Sequence, residues 1–168
     1  ARVAVLDGGI AAWRARGLPE THEASAHAPV AAYPARFDTG RIVTSDQVLQ
    51  RLDEDSGWLV DARAAERFRG AVEPIDAIAG HVPGAINRPF ALNLREGHFK
   101  PADELREELS ALLGDRHPAD TVLMCGSGVT ACHLLLAFEH AGLHGARVYA
   151  GSWSGWISDP SRPVARGG

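Results

Sequence analysis

The chain has 168 residues, of which 45% are apolar and 23% charged, a balance that suits one compact domain with a proper core. Its net charge of −4 argues against a nucleic-acid or anionic-membrane surface, and no apolar run approaches the roughly 20 residues of a membrane span. Two cysteines cannot build a disulfide framework and no leader pattern opens the chain, so cytoplasm is the expected location.

The first element is a β-prone pair, a glycine turn and a short amphipathic segment, Val5-Leu-Asp-Gly-Gly-Ile-Ala-Ala-Trp13. It aligns without gaps on Val148-Tyr-Ala-Gly-Ser-Trp-Ser-Gly-Trp156 near the other end, an internal repeat. Between residues 19 and 40 the pattern dissolves into Pro19, Pro29 and Pro34 with His22 and His27, which reads as a linker over residues 21–40. Thr44-Ser-Asp-Gln47 has capping-box spacing and opens a helix whose buried stripe is expected to be Val48, Leu49 and Leu52.

Trp58-Leu-Val-Asp61 is a short buried strand, and Asp61 and Arg63 stand at its C-terminal end, where parallel sheets place their ligands. Arg63, Arg67 and Arg69 follow on what reads as one helical stretch. Gly80-His-Val-Pro-Gly-Ala-Ile-Asn87 is a tight turn leading into a strand, where His81 is expected to satisfy backbone groups rather than act as a base. Residues 101–114 form an amphipathic helix with Leu105, Leu109, Leu112 and Leu113 inward and Gly114 as its stop.

The chemistry concentrates in Thr121-Val-Leu-Met-Cys125-Gly-Ser-Gly-Val-Thr130-Ala-Cys-His133. An apolar strand delivers Cys125 to a turn with Gly126 and Gly128, and a helical pattern (Val129, Leu134, Leu135, Ala137, Phe138) starts directly afterwards. Such a turn curls successive N–H groups into an anion-holding bowl, and the helix adds its positive dipole end. Cys125 is therefore expected to act as a nucleophile, as cysteines at helix N-termini do. A phosphatase loop of the Cys-x5-Arg type would need a guanidinium where Ala131 stands, so phosphoryl transfer is disfavoured and sulfur chemistry remains. Cys132, in the first turn of the helix, is expected to pack in the core. Arg147-Val-Tyr149 is a further strand, and Trp153 and Trp156 are packing residues and pocket wall. The eight histidines are scattered, and His140 and His144 straddle Gly142 without an acid or Cys to complete a site, so neither metal nor cofactor is expected.

Cys125-Gly-Ser-Gly-Val-Thr130 resembles the active-site loop of the rhodanese family in the form carried by 3-mercaptopyruvate sulfurtransferases. Leu59-Val-Asp-Ala-Arg63, Arg67-Phe-Arg-Gly70, Gly80 to Asn87 and Tyr149-Ala-Gly-Ser-Trp-Ser-Gly-Trp156 resemble further stretches of that family, in its order. The resemblance implies an α/β domain with a central, mostly parallel five-stranded sheet and helices on both faces. It also implies sulfur transfer from thiosulfate or 3-mercaptopyruvate, through a Cys125 persulfide, to cyanide or a thiol. Ser127 would hydrogen-bond the donor or relay a proton, and Arg67 would hold the donor's anionic end. Gly126, Gly128, Val129 and Thr130 would supply the amides that cradle the persulfide, with Arg63 grouped beside them but expected to pair with Asp61 as structural support.

Two features depart from the family pattern. Thiosulfate-preferring members usually carry basic residues at the positions held here by Gly126 and Ser127, while mercaptopyruvate-type members carry a second arginine after a Glu-Pro pair, where this chain has Ile75 after Glu73-Pro74. The resemblance and the repeat together imply a tandem organisation. Residues 1–20 would be the tail of a truncated N-terminal rhodanese-like domain, 41–160 the catalytic domain and 161–168 a C-terminal tail. The missing domain would be a partner in cis, and the orphaned apolar residues Val3, Val5, Leu6, Ile10 and Trp13 would either dangle or find a substitute surface, on their own domain's exposed interface or on a neighbouring molecule by self-association. The alternative function is a rhodanese-like interaction or regulatory module without turnover.

Overall fold

A computed structural model describes residues 4–23 and 35–168; Val3 and the linker residues 24–34, with His27, Pro29 and Pro34, lie outside the described residues. The elements in chain order are α1 (Gly9–Ala15), β1 (Ile42–Val43), α2 (Ser45–Leu49), β2 (Leu59–Asp61), α3 (Ala65–Phe68), β3 (Ile86–Asn87), β4 (Leu94–Arg95), β5 (His98–Phe99), α4 (Ala102–Leu113), β6 (Val122–Met124), α5 (Val129–His140), β7 (Arg147–Tyr149) and α6 (Ser152–Ile157). Five strands form one sheet in the order β1-β7-β6-β2-β3, every neighbouring pair parallel.

Parallel strands need crossovers, and here the crossovers cover both faces. The two-residue period of the strands divides the core accordingly. Val60, Leu123 and Val148 pack with Leu105, Leu109, Leu134 and Phe138 from α4 and α5. Leu59, Val122, Met124 and Tyr149 pack on the opposite face with Val48, Phe68, Trp153 and Trp156 from α2, α3 and α6. Each fully buried leucine of α4 contributes roughly 1.5–3 kcal/mol relative to exposure. The parallel, two-faced α/β sheet inferred from sequence is the observed architecture.

Thr44 caps α2 as its spacing indicates: its Oγ1 accepts from the amide of Gln47, whose side chain accepts from the Thr44 amide. Gly114, at φ 58°, ends α4. Two burial expectations fail, those for Leu49 and Cys132. Leu49 is exposed, because five-residue α2 turns only its Val48 side inward, with Leu52 reaching the core from the following turn. Val129, for which only helical placement was expected, is 73% exposed, since the first turn of α5 projects it over the pocket mouth. Cys132 is exposed as well, on the opposite side of α5 from the buried row Ala131, Leu134 and Phe138.

The arginine stretch is also differently built. Arg63 precedes α3, which has only four residues, and Arg69 caps it and is exposed. His81 Nδ1 lies 2.8 Å from the Phe68 carbonyl and its ring stacks on Phe68 at 3.9 Å, so it serves the turn. The last residues are stitched to the domain: Ala165 exchanges both backbone hydrogen bonds with His81, and Gly167 N–H donates to the Arg69 carbonyl.

Candidate active site

Adjacent strands β2 and β6 end in register, Asp61 beside Met124, so the residues that follow them meet at the C-terminal edge of the sheet. The Ala62 amide donates to the Met124 carbonyl at 2.8 Å and closes the seam. Cys125 follows on one side and Arg63 on the other. Between them lies a pocket of about 250 Å³ lined by Arg63, Ala64, Arg67, Phe90, Cys125, Gly126, Ser127, Val129 and Thr130.

Cys125 forms the floor and is 2% exposed. Its Sγ accepts the Gly128 amide at 3.1 Å. Gly128 makes this possible at φ 87°, a left-handed conformation that disfavours any side chain, and a Cβ there would stand 3.0 Å from the Ala150 carbonyl oxygen. Gly128 is also the N-cap of α5, so the helix's positive end faces the sulfur. Ser127 is exposed at the rim and Thr130 half-buried behind it.

The start of α6 holds the loop from behind. Ser152 Oγ accepts the Cys125 amide at 3.1 Å and donates to the Tyr149 carbonyl at 2.9 Å. The Trp153 amide donates to the Cys125 carbonyl, and the Ser154 amide to the Gly126 carbonyl, both at 2.9 Å. Ser154 Oγ lies 2.9 Å from the same Gly126 carbonyl and 2.7 Å from Asp76 Oδ1.

The cations are less free than the sequence implies. Arg63, grouped there with the substrate-binding residues but also expected to support Asp61, is committed to structure. Its side chain is 1% exposed, its Nε and Nη2 donate to Asp61 at 2.7–3.2 Å, Nη2 also reaches the Gly80 carbonyl, and Nη1 reaches Glu73 at 3.4 Å. It also lies 4.7 Å over the Trp153 ring. Arg67 donates from Nε and Nη2 to Glu73 at 2.7–3.2 Å and from Nη2 to Asp76 at 2.9 Å. Its Nη1 faces the loop, 3.6 Å from where a Cβ on Gly126 would stand. Burial pushes the Glu73 carboxyl up, but Arg67 and the amides of Asp76 and Ile75 outweigh it and hold the group below its usual range.

Chemically this is a cysteine sulfur with one neutral donor and one guanidinium edge, an arrangement able to present a nucleophile to a small anion. Cys125, Gly126, Ser127, Val129, Thr130 and Arg67 come together as the sequence groups them. Glu73, Asp76, Phe90, Ser152 and Ser154 escaped it. Only the Glu-Pro turn and the Gly-Ser-Trp-Ser run hinted at them, because their roles come from contacts across 27 or more residues or from a folded loop.

Among the described residues no three potential ligands group as a metal site, and no helix is long and apolar enough to cross a membrane. A bacterial relative named "Probable 3-mercaptopyruvate sulfurtransferase", from Pseudomonas aeruginosa, is 47% identical over 98% of this chain and 58% of its own length. The thiosulfate sulfurtransferase of Gallus gallus is 37% identical over 92% of this chain and 53% of its own. The chain thus spans a little over half the length of these curated relatives. The solved structure of 3-mercaptopyruvate sulfurtransferase from Leishmania major superposes with a TM-score of 0.72 at 30% identity, over 92% of this chain and 44% of that one. The model of the rhodanese-like domain matches residues 44–159. The chain belongs to the rhodanese-like domain family.

Proposed function

We propose that the chain carries the sulfur-accepting site of a cytoplasmic sulfurtransferase that works by double displacement. With thiosulfate, the Cys125 thiolate attacks the outer sulfur, the S–S bond breaks towards the sulfonate sulfur, and sulfite leaves, so that thiolate plus thiosulfate becomes persulfide plus sulfite. With 3-mercaptopyruvate, the C–S bond breaks instead and the thiol proton ends on the carbon of departing pyruvate. Cyanide or a thiolate then takes the outer sulfur and restores the thiolate.

Arg67 Nη1 attracts the donor's anionic end, Ser127 meets the donor at the rim, and the Gly128 amide with the positive end of α5 stabilises the negative sulfur. The observation that carries this reading is Cys125 Sγ at the floor of a small pocket, receiving an N–H at 3.1 Å beneath a guanidinium wall. The curated relatives' names supply the donor classes. The repeat and the relatives' length support a tandem protein whose other domain walls the cleft in cis. Intact mass after incubation with donor is the test: an adduct of about 32 Da on Cys125 is the persulfide. Its absence with both donors would leave an interaction module.

A further inference from the structure

We propose that Asp76, acting through Arg67, sets how much negative charge a donor can bring into the pocket; this rests on the sulfurtransfer reading above. Glu73 already holds the guanidinium by one whole edge. It takes the Nε–Nη2 edge bidentately, and its Oε1 is itself pinned by the amides of Ile75 and Asp76 at 3.1 Å. Asp76 is therefore redundant for orientation. Its Oδ2 nevertheless sits 2.9 Å from Nη2, on a side chain only 9% exposed, while its Oδ1 is anchored by Ser154 Oγ at 2.7 Å.

What Asp76 adds is charge. Arg63 and Arg67 face three carboxylates, Asp61, Glu73 and Asp76, so the cluster behind the pocket is formally one unit negative. A donor approaching Nη1 meets a guanidinium already more than compensated. The repulsion from Asp76 scales with the donor's charge, so a dianion is penalised twice as heavily as a monoanion. Asp76 thus holds back dianions such as thiosulfate more than monoanions such as 3-mercaptopyruvate, and acts through Arg67 to select on charge rather than shape.

The test is the donor-concentration dependence of persulfide formation, read by rapid quench and intact mass at fixed pH and ionic strength. Asp76→Asn should lower the half-saturating concentration about tenfold for thiosulfate and about threefold for 3-mercaptopyruvate. The rate at saturation should be unchanged and the gap should narrow as salt is added. Ser154→Ala, which removes the anchor without changing charge, should move both donors by one common factor. Calorimetry of sulfate and acetate on the Cys125→Ser protein gives the same comparison without turnover. Equal factors for the two donors in Asp76→Asn, or weaker binding of either, overturn the proposal. Absence of any persulfide alongside an intact sulfate-over-acetate gain would overturn the sulfurtransfer reading and leave the role of Asp76 standing.

Discussion

Ser152 Oγ accepts the backbone N–H of Cys125 at 3.1 Å, joining the pocket cysteine to the start of α6 across 27 residues. Ser152 is fully buried and holds φ 50°, a left-handed value that costs a non-glycine residue on the order of 1 kcal/mol or more. The strain persists because the hydroxyl serves two backbone groups at once, the Cys125 amide and the Tyr149 carbonyl.

Ser152→Ala should therefore destabilise the fold by about 1–3 kcal/mol by orphaning those two groups, and slow persulfide formation as the loop loosens. Ser152→Gly relieves the strain while losing the same bonds, so its stability should fall less but its rate equally. Urea midpoints and single-turnover rates read both effects. Rates matching wild type in both variants would reduce Ser152 to a packing residue.

Cys125→Ser should abolish the persulfide adduct and leave the unfolding midpoint nearly unchanged, because serine keeps an acceptor for the Gly128 amide. Arg67→Ala has two consequences. Donor affinity should weaken by roughly 2–5 kcal/mol, and stability should fall too, since Glu73 and Asp76 lose the cation between them. Unchanged half-saturation by donor in Arg67→Ala would remove Arg67 from the binding site.

Much of this arrangement is written locally. The strand into Cys125, the glycine at Gly128 and the stripe of α4 each follow from short-range pattern, and the parallel sheet follows from their alternation. What escaped depends on tertiary closure. The neutralisation of Arg67 requires the 71–76 loop to fold back under Glu73, and the hold on Cys125 comes from a serine in a different element. Ile42–Val43 was too short to read as a strand, and it exists because β7 offers an edge for parallel pairing. Cys132 misled because α5 is apolar on nearly all sides, so periodicity alone did not identify the face turned outward.

Glu73 makes the cluster acid-sensitive. Its carboxyl is held below the usual 4.5 in the folded protein, so its contribution to stability is complete above that value. The contribution is lost as pH falls through the lower, folded value. Unfolding free energy should accordingly be level with respect to this group above about pH 5.5 and decline below pH 4.5. Glu73→Gln should start lower and decline less. Parallel curves for the two proteins down to pH 3 would show that Glu73 gains nothing from Arg67.

Donor preference should reflect the missing second guanidinium. Ile75, where mercaptopyruvate-type members carry that arginine, is 75% exposed and can offer nothing to a carboxylate. Of the two pocket arginines only Arg67 has a nitrogen facing the loop. The expected outcome is poor affinity for 3-mercaptopyruvate, with thiosulfate a competing donor despite the charge penalty of Asp76. The kcat/KM values of both donors decide it, a low KM for mercaptopyruvate being the contrary result.

The N-terminal segment supplies the last prediction. In the internal repeat Ile10 corresponds to Trp153, Trp13 to Trp156, and Gly9 to Ser152; the first residues of the two short helices share a positive φ, 56° at Gly9 and 50° at Ser152, although their N-caps Gly8 and Gly151 differ. Their burial differs. Trp153 and Trp156 are fully buried, whereas α1 has no buried residue and Ile10 is 54% exposed. The segment is tethered through Asp7, which accepts the Phe99 amide at 2.9 Å and lies 3.1 Å from His98 Nδ1. Beneath it remains an apolar groove of about 640 Å³ between Val5, Phe99, Pro101 and Leu136. An amphipathic helix with its apolar side uncovered favours association with another surface of the same kind. The 168-residue chain should therefore gain mass with concentration in light scattering, and Leu6→Asp combined with Ile10→Asp should return it to monomer without affecting the melting of the sheet. A constant monomeric mass for the unmodified chain up to millimolar concentration would show that the tether through Asp7 is all that α1 requires.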